Sequence, residues 1–224
     1  AATNGFKPQA PVQMGFYQVF SETLLHPAAF KAAHAPGGGV RVTETYTHFA
    51  QGPARETGDP LHVALEGPGF IAVDTPEGER FTRDGAFTVD VDGHLATANG
   101  FKVLGAGGGP LDVRGGRVLI AEDGQVTVGG MPAGQIRVTE FENPQQLRRA
   151  GDNLFLAPET VLDASAGGAN TRVLQMRLES SNVNLPGEMI NLMLGLRAYE
   201  ANERSIRTAD ETTARLIDQV GMPR

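Results

Sequence analysis

Cysteine is absent from all 224 residues, which excludes a disulfide framework and any thiolate metal site. Tryptophan is absent too, and tyrosine occurs only as Tyr17, Tyr46 and Tyr199. A β-rich extracellular module that binds glycans or cell wall presents aromatic faces to its ligand, so this shortage weighs against that function. No stretch approaches ~18 consecutive apolar residues, so nothing reads as a membrane-spanning helix. No basic, apolar, cleavable leader is visible. Acidic residues outnumber basic ones, 26 to 19, for a net charge of −7. That balance argues against nucleic acid or an anionic membrane surface as the main partner. What is plentiful is glycine, with 29 residues, and proline, with 14. Both suit a chain of many turns.

A period of two begins at Leu61, where Leu61, Val63 and Leu65 alternate with His62, Ala64 and Glu66. Strand-like runs follow at 70–73, 79–83, 86–91, 94–97 and 101–104, then at 117–121, 125–128, 135–141, 154–157 and 172–178. Asp84-Gly85, Asp92-Gly93 and Asp123-Gly124 sit at joints, where tight hairpin turns call for positive φ. Short strands at close spacing point to a mainly β, turn-rich domain, either a sandwich or an open barrel. Before it, residues 1–60 show little periodicity and read as an extended N-terminal arm or linker. Within that arm, residues 16–25 could form a short helix, and the APGGG at 35–39 is a break. The expected domains are the arm at 1–60, the β domain at 61–163, a linker and return strand at 164–180, and a helix at 181–224.

That last segment is of a different kind. Asn184 suits an N-cap, Pro186 the first turn and Glu188 the positive end of the helix dipole, while Gly221 and Pro223 mark a stop. Between them Met189, Leu192, Leu196, Tyr199, Ile206, Thr213, Ile217 and Val220 form an a/d seam, interrupted by Glu203 and Asp210. The seam of this coiled-coil-type α-helix packs either on its own domain's core or on another chain. Everything upstream reads as strands and turns, so no second helix is at hand to cover it.

Motifs for chemistry are weak. Residues 67–72 (GPGFIA) match the spacing of a dinucleotide fingerprint, but a strand-like run follows where a helix is required, and Pro68 removes an amide donor. A β-turn is the better reading. The glycine run 105–110 lacks the Lys-Ser/Thr ending of a phosphate loop. Asp90-Val91-Asp92-Gly93 opens like a calcium loop, but the later ligands fail and a hairpin turn fits better. His26, His34, His48, His62 and His94 show no metal-binding spacing, and no GxSxG elbow occurs. The sequence therefore offers no catalytic residue, no metal site and no cofactor site, and the expectation is a protein that is not an enzyme.

The terminal segments resemble a known family. SNV (181–183), EM (188–189), RAYEAN (197–202) and TAD (208–210) look like the C-terminal signature of flagellar axial proteins, which build the rod and hook of the bacterial flagellum. TNGFK (3–7) resembles the family's TxGFK. GPGFIAV (67–73) and FTRDGAFTVDVDGHLATANGFKVLG (81–105) resemble its GxGFF and YTRxGxFxxDxxGxLVTxxGxxVLG blocks. Within the family, the compact size and the stretch 103–120 are most similar to the proximal rod branch, with the distal rod branch next. Family members begin with a helix of roughly thirty residues, whereas this sequence starts at Ala1-Ala2-Thr3. The helix that would pair with the C-terminal seam is therefore expected to be missing here.

The resemblance implies a structural subunit of the basal-body rod that lies in the periplasm, self-assembles and transmits torque for motility. Its partners would be copies of itself, other rod subunits and the flagellar export apparatus, with no nucleic acid and no membrane insertion. The residues expected to carry assembly are Met189, Leu192, Leu196, Tyr199, Ile206, Ile217 and Val220. Asn182 and Asn184 would fix the start of the helix.

Overall fold

The computed structural model describes residues 3–14, 41–158 and 170–220. The short helix or arm expected at 16–25, the break at 35–39, nearly all of the 164–170 linker, and Gly221 and Pro223 lie outside them. The first strands are β1 (Gln9–Met14), β2 (Arg41–Thr47), β3 (Ala54–Glu56) and β4 (Val63–Glu66). The central ones are β5 (Phe70–Thr75), β6 (Gly78–Thr82), β7 (Phe87–Val89), β8 (Leu95–Thr97) and β9 (Lys102–Val103). Next come β10 (Val118–Ile120), β11 (Gln125–Val128), β12 (Met131–Gln135) and β13 (Val138–Thr139). The body ends with β14 (Arg148–Gly151), β15 (Leu154–Leu156), β16 (Arg172–Gln175) and β17 (Arg177–Glu179), and one helix follows, α1 (Leu185–Val220). The chain divides at 182/183 into a β unit and a helical unit.

The β unit is a set of open antiparallel sheets, not a closed barrel. The largest runs β14-β15-β6-β5-β9-β8-β7, with β13 also pairing to β5. β10, β11 and β12 form a separate meander, while β16 pairs with β4, β17 with β3, and β1 with β2. Strand β5 shows why the sheet sits where it does. Its first four residues, Phe70 to Val73, are all buried, as expected of a strand covered on both faces. Ile71 and Val73 join Val63, Leu65, Phe87, Leu95 and Val103 on one side. Phe70 and Ala72 join Phe81, Leu104, Phe141, Leu147 and Phe155 on the other. The second group is aromatic, with Phe70 ringed by Phe49, Phe141 and Phe155 at centroid distances of 5.6, 5.6 and 5.8 Å.

Two local expectations change. Gly93 and Gly124 adopt φ of 82°, as hairpin turns require, but Gly85 is not in the left-handed region. It is a glycine because of a close approach: a Cβ there would stand 1.7 Å from the Val63 carbonyl oxygen. The single strand expected at 172–178 is broken at Met176, whose φ is 62°. That one reversed residue passes the chain from β4, paired to β16, to β3, paired to β17. The break brings Glu179 into the interior.

Candidate assembly site

Helix α1 spans 36 residues, about 50 Å at 1.5 Å per residue. It starts at Asn184, whose side-chain Oδ1 accepts the Gly187 amide at 3.3 Å while its carbonyl accepts from Glu188. This is N-cap geometry, and it satisfies amide donors that the first turn would otherwise leave unpaired. Along the helix, Met189, Leu192, Leu196, Tyr199, Ile206 and Ile217 are all exposed, with Leu196 at 56% and Tyr199 at 69%. Val220 lies within the helix, but its side chain is outside the described set. Sequence reasoning passed over Leu185, Ile190, Met193, Leu194 and Leu216, which are also exposed. In the first three turns Leu185, Ile190, Met193 and Leu194 widen the apolar stripe into a broad face. Their signal was available in the run LPGEMINLML, which has more apolar residues than an a/d seam needs.

The helix adds local polar support. Glu203 and Arg207 form an i,i+4 pair at 2.5 Å, and Glu200–Arg204 and Glu211–Arg215 are looser, at 3.9 and 4.0 Å. Exposed pairs of this kind contribute about 0.3–0.5 kcal/mol each. Against that, Ser205, Thr208, Thr212 and Thr213 each donate to the carbonyl four residues back, a habit that slightly weakens helices.

Asn182 belongs to the end of the β unit. Its Nδ2 donates to the carbonyls of His48 and Ala50 at 3.1 and 2.8 Å. Beside it lies a cluster the sequence reading did not foresee, in which Lys7, Arg83 and Glu179 are 0%, 3% and 1% exposed. Glu179 Oε1 accepts from Lys7 Nζ at 2.5 Å and from the Gly52 amide at 2.7 Å, and Oε2 faces Arg83 Nη1 at 3.4 Å. Lys7 also donates to Ala50 O at 2.7 Å, and Arg83 to Gly67 O at 2.5 Å. The Arg83 guanidinium lies 5.0 Å over the Phe70 ring. Burial pushes the Lys7 ammonium below its ordinary value, against the pull of Glu179, and burial likewise lowers Arg83. The available signal was that Lys7 and Arg83 stand inside the TNGFK and FTRDG blocks. Their joining at Glu179 depends on the fold.

The weaker motifs resolve into structure. Residues 67–69 turn into strand β5, so no helix N-terminus faces them. Asp90, Asp92 and His94 do gather, with ligand atoms within 4.8 Å of one another. Lys102 already supplies a cation there, 3.7 Å from Asp90 and 3.0 Å from Asp92. Asp90 Oδ1 closes the turn by accepting the His94 amide at 2.8 Å. A cleft of about 360 Å³ is lined by residues including Phe6, Thr82, Asp84, Asn99 and Asn153. Its polar groups tie the backbone together, Thr82 donating to Asn153 O and Asn153 to Asn4 O. His26 and His34 lie outside the described residues. Among those described, no helix is long and apolar enough to cross a membrane.

Comparison with known proteins places these features. Residues 174–219 match the family described as flagellar basal body rod FlgEFG protein, C-terminal, and residues 64–128 match the flagellar hook protein FlgE/F/G D1 domain. The chain is 31% identical to the flagellar basal-body rod protein FlgG of Buchnera aphidicola subsp. Baizongia pistaciae, over 96% of this chain and 87% of the relative. It is 33% identical to the flagellar basal-body rod protein FlgF of Caulobacter vibrioides, over 87% of this chain and 80% of the relative. A FlgG of Borreliella burgdorferi is 31% identical over 93% and 84%. The C-terminal match covers β17 and nearly all of α1.

Proposed function

Because the chain belongs to the flagellar basal-body rod protein family, we propose that it acts as a load-bearing, non-enzymatic subunit of the periplasmic rod. It assembles with copies of itself and with other rod subunits after passing through the flagellar export apparatus. Repeated heterologous contacts build an open helical tube when the rotation between neighbours does not close into a ring. The observation that carries the proposal is the long apolar stripe of α1, exposed from Met189 to Ile217. Seven or more large apolar side chains exposed on one helix, densest from Leu185 to Tyr199 and recurring at Ile206 and Ile217, are what an interaction surface presents. Met189, Leu192, Leu196, Tyr199, Ile206, Ile217 and Val220 are the proposed contacts. The four proposed segments, 1–60, 61–163, 164–180 and 181–224, give the division of labour: the β parts supply a stiff outer body, and the terminal helix supplies the axial contact.

The test is charge in the seam. Leu196→Asp or Ile206→Asp in the full-length protein places an unpaired carboxylate in a desolvated contact, which costs several kcal/mol at each subunit interface. Swimming should be lost while the protein is still made and exported. Normal swimming in both variants overturns the proposal.

We place the chain in the proximal rod on the likeness of residues 103–120 to that branch. The distal position is the competing reading, since relatives named FlgG and FlgF match at similar identity, 31% over 96% of the chain for one and 33% over 87% for the other. Complementation of host strains lacking one or the other rod gene separates them.

A further inference from the structure

The buried cluster of Lys7, Arg83 and Glu179 has no role in the axial seam, yet it is chemically the most unusual feature of the β unit. Buried charges are costly, and well-packed apolar residues in their place are often neutral or stabilising. Stability alone is therefore a poor reason for three ionised side chains in an interior that has aromatic packing beside it. Their geometry offers another reason. One carboxylate gathers chain segments separated by 172, 127 and 96 residues: Lys7, the Gly52 amide and Arg83. The Ala50 carbonyl then accepts both from Lys7, at 2.7 Å, and from Asn182, at 2.8 Å. The Gly5 amide donates to the Glu179 carbonyl at 2.8 Å, and the Ser180 amide to Pro53 at 2.9 Å. Gly5 itself has φ of 62°, and a Cβ there would stand 2.5 Å from the Arg83 carbonyl oxygen. Apart from the Lys7–Ala50 bond, each of these hydrogen bonds has one end within five residues of the point where the chain leaves the β unit.

We propose that Glu179, held by Lys7 and Arg83, is the positioning residue of the helix root: it binds residues 5–7 and 48–52 to 179–182, so that the chain leaves the β body at one defined point. The proposal rests on the assembly reading of α1 given above. In a polymer, a fixed exit point gives the helix of every subunit the same origin on its β body. Ion pairs serve this purpose where apolar packing does not, because a charge group accepts few partners and a displaced one is left unpaired in a dry interior. An apolar contact can slide.

Two variants of the full-length protein test it in the native host: Glu179→Gln, and the apolar replacement Lys7→Met, Arg83→Met, Glu179→Leu. Swimming, thermal melting of the purified protein and amide hydrogen exchange are measured together, with Leu196→Asp as the seam control. The expected result is a body that melts within about 5 °C of wild type in the apolar variant. Exchange should accelerate roughly tenfold or more at 5–8, 48–52 and 179–182 while β5 stays protected, and swimming should be lost in both variants. Normal swimming in either cluster variant overturns the proposal. So does exchange that rises equally through β5 in both, because the cluster is then ordinary core. The seam control separates the two ideas. If Leu196→Asp also swims, the assembly reading has failed; if it does not swim while the cluster variants do, only the root proposal has.

Discussion

At the scale of single residues, the most restrictive positions are those where backbones nearly touch. A methyl group on Gly85 would fall on the Val63 carbonyl, and neither group belongs to a flexible side chain that can yield. Gly85→Ala should therefore destabilise the β unit by about 2–3 kcal/mol, typical of forced overpacking, read as a lower denaturant midpoint. Its neighbour Asp84 behaves differently. Burial pushes this carboxyl above the ordinary value of 3.8, despite hydrogen bonds from Ala86 and Asn153. The folded chain thus holds the proton more tightly than the unfolded chain does. Between the ordinary and the raised value stability falls as pH rises, and above the raised value the penalty is complete. Asp84→Asn keeps an oxygen for the Ala86 amide and removes the titration. Its stability relative to wild type should therefore increase as pH rises through the ordinary value of 3.8 and level off only above the raised one. Denaturant melts across that range check it, and a gap that shrinks with rising pH would contradict the assignment.

The helix poses the question at the level of the element. A helix gains most of its stability in water from packing its apolar face, and α1 exposes that face along its length. Three i,i+4 ion pairs offset little. In dilute protein the amides of 188–217 should exchange far faster than those of β5, and protection should appear on assembly. Strong protection in the dilute monomer would mean the seam is covered already. The broad apolar face of the first turns yields a second expectation. Met193→Asp lies off the a/d seam, yet it should impair assembly about as much as Leu196→Asp, measured by sedimentation of polymer or by swimming. Glu211→Ala or Arg215→Ala breaks only a 4.0 Å exposed pair and should change stability by less than about 0.5 kcal/mol.

For the molecule as a whole, the division at 182/183 leads to a separable melting behaviour. The cores around β5 draw all their members from residues 49–173. A chain ending at Val183 should therefore keep the melting temperature of the β unit to within about 3 °C, by calorimetry. A large drop would show that the helix completes the core of the body. The root cluster sharpens this comparison, since Glu179 and Asn182 stay in the shortened chain and their ties to Gly52, Ala50 and His48 survive the cut.

Much of this protein could be read from local chemistry. Period-two alternation located β4, and short apolar runs located most strands from β5 to β11, because each strand's side chains choose a face within two residues. Asn184, Pro186 and Glu188 marked the start of α1, since capping is settled within one turn. The apolar run from Met189 onward marked an uncovered apolar face for the same reason: its surplus is visible without a partner. Other features were decided only by tertiary structure. β3 and β14 carry few apolar residues and became strands through pairing with β17 and β15. Gly85 looked like a turn glycine and proved to be a contact glycine. The reversal at Met176 depends on two different partner strands, and no residue nearby forecasts it. Lys7, Arg83 and Glu179 are far apart in sequence, and a charge gives no local sign that it will be buried. Their union follows from long-range pairing: β17 pairs with β3, and the Gly5 amide at the start of the described chain donates to the Glu179 carbonyl.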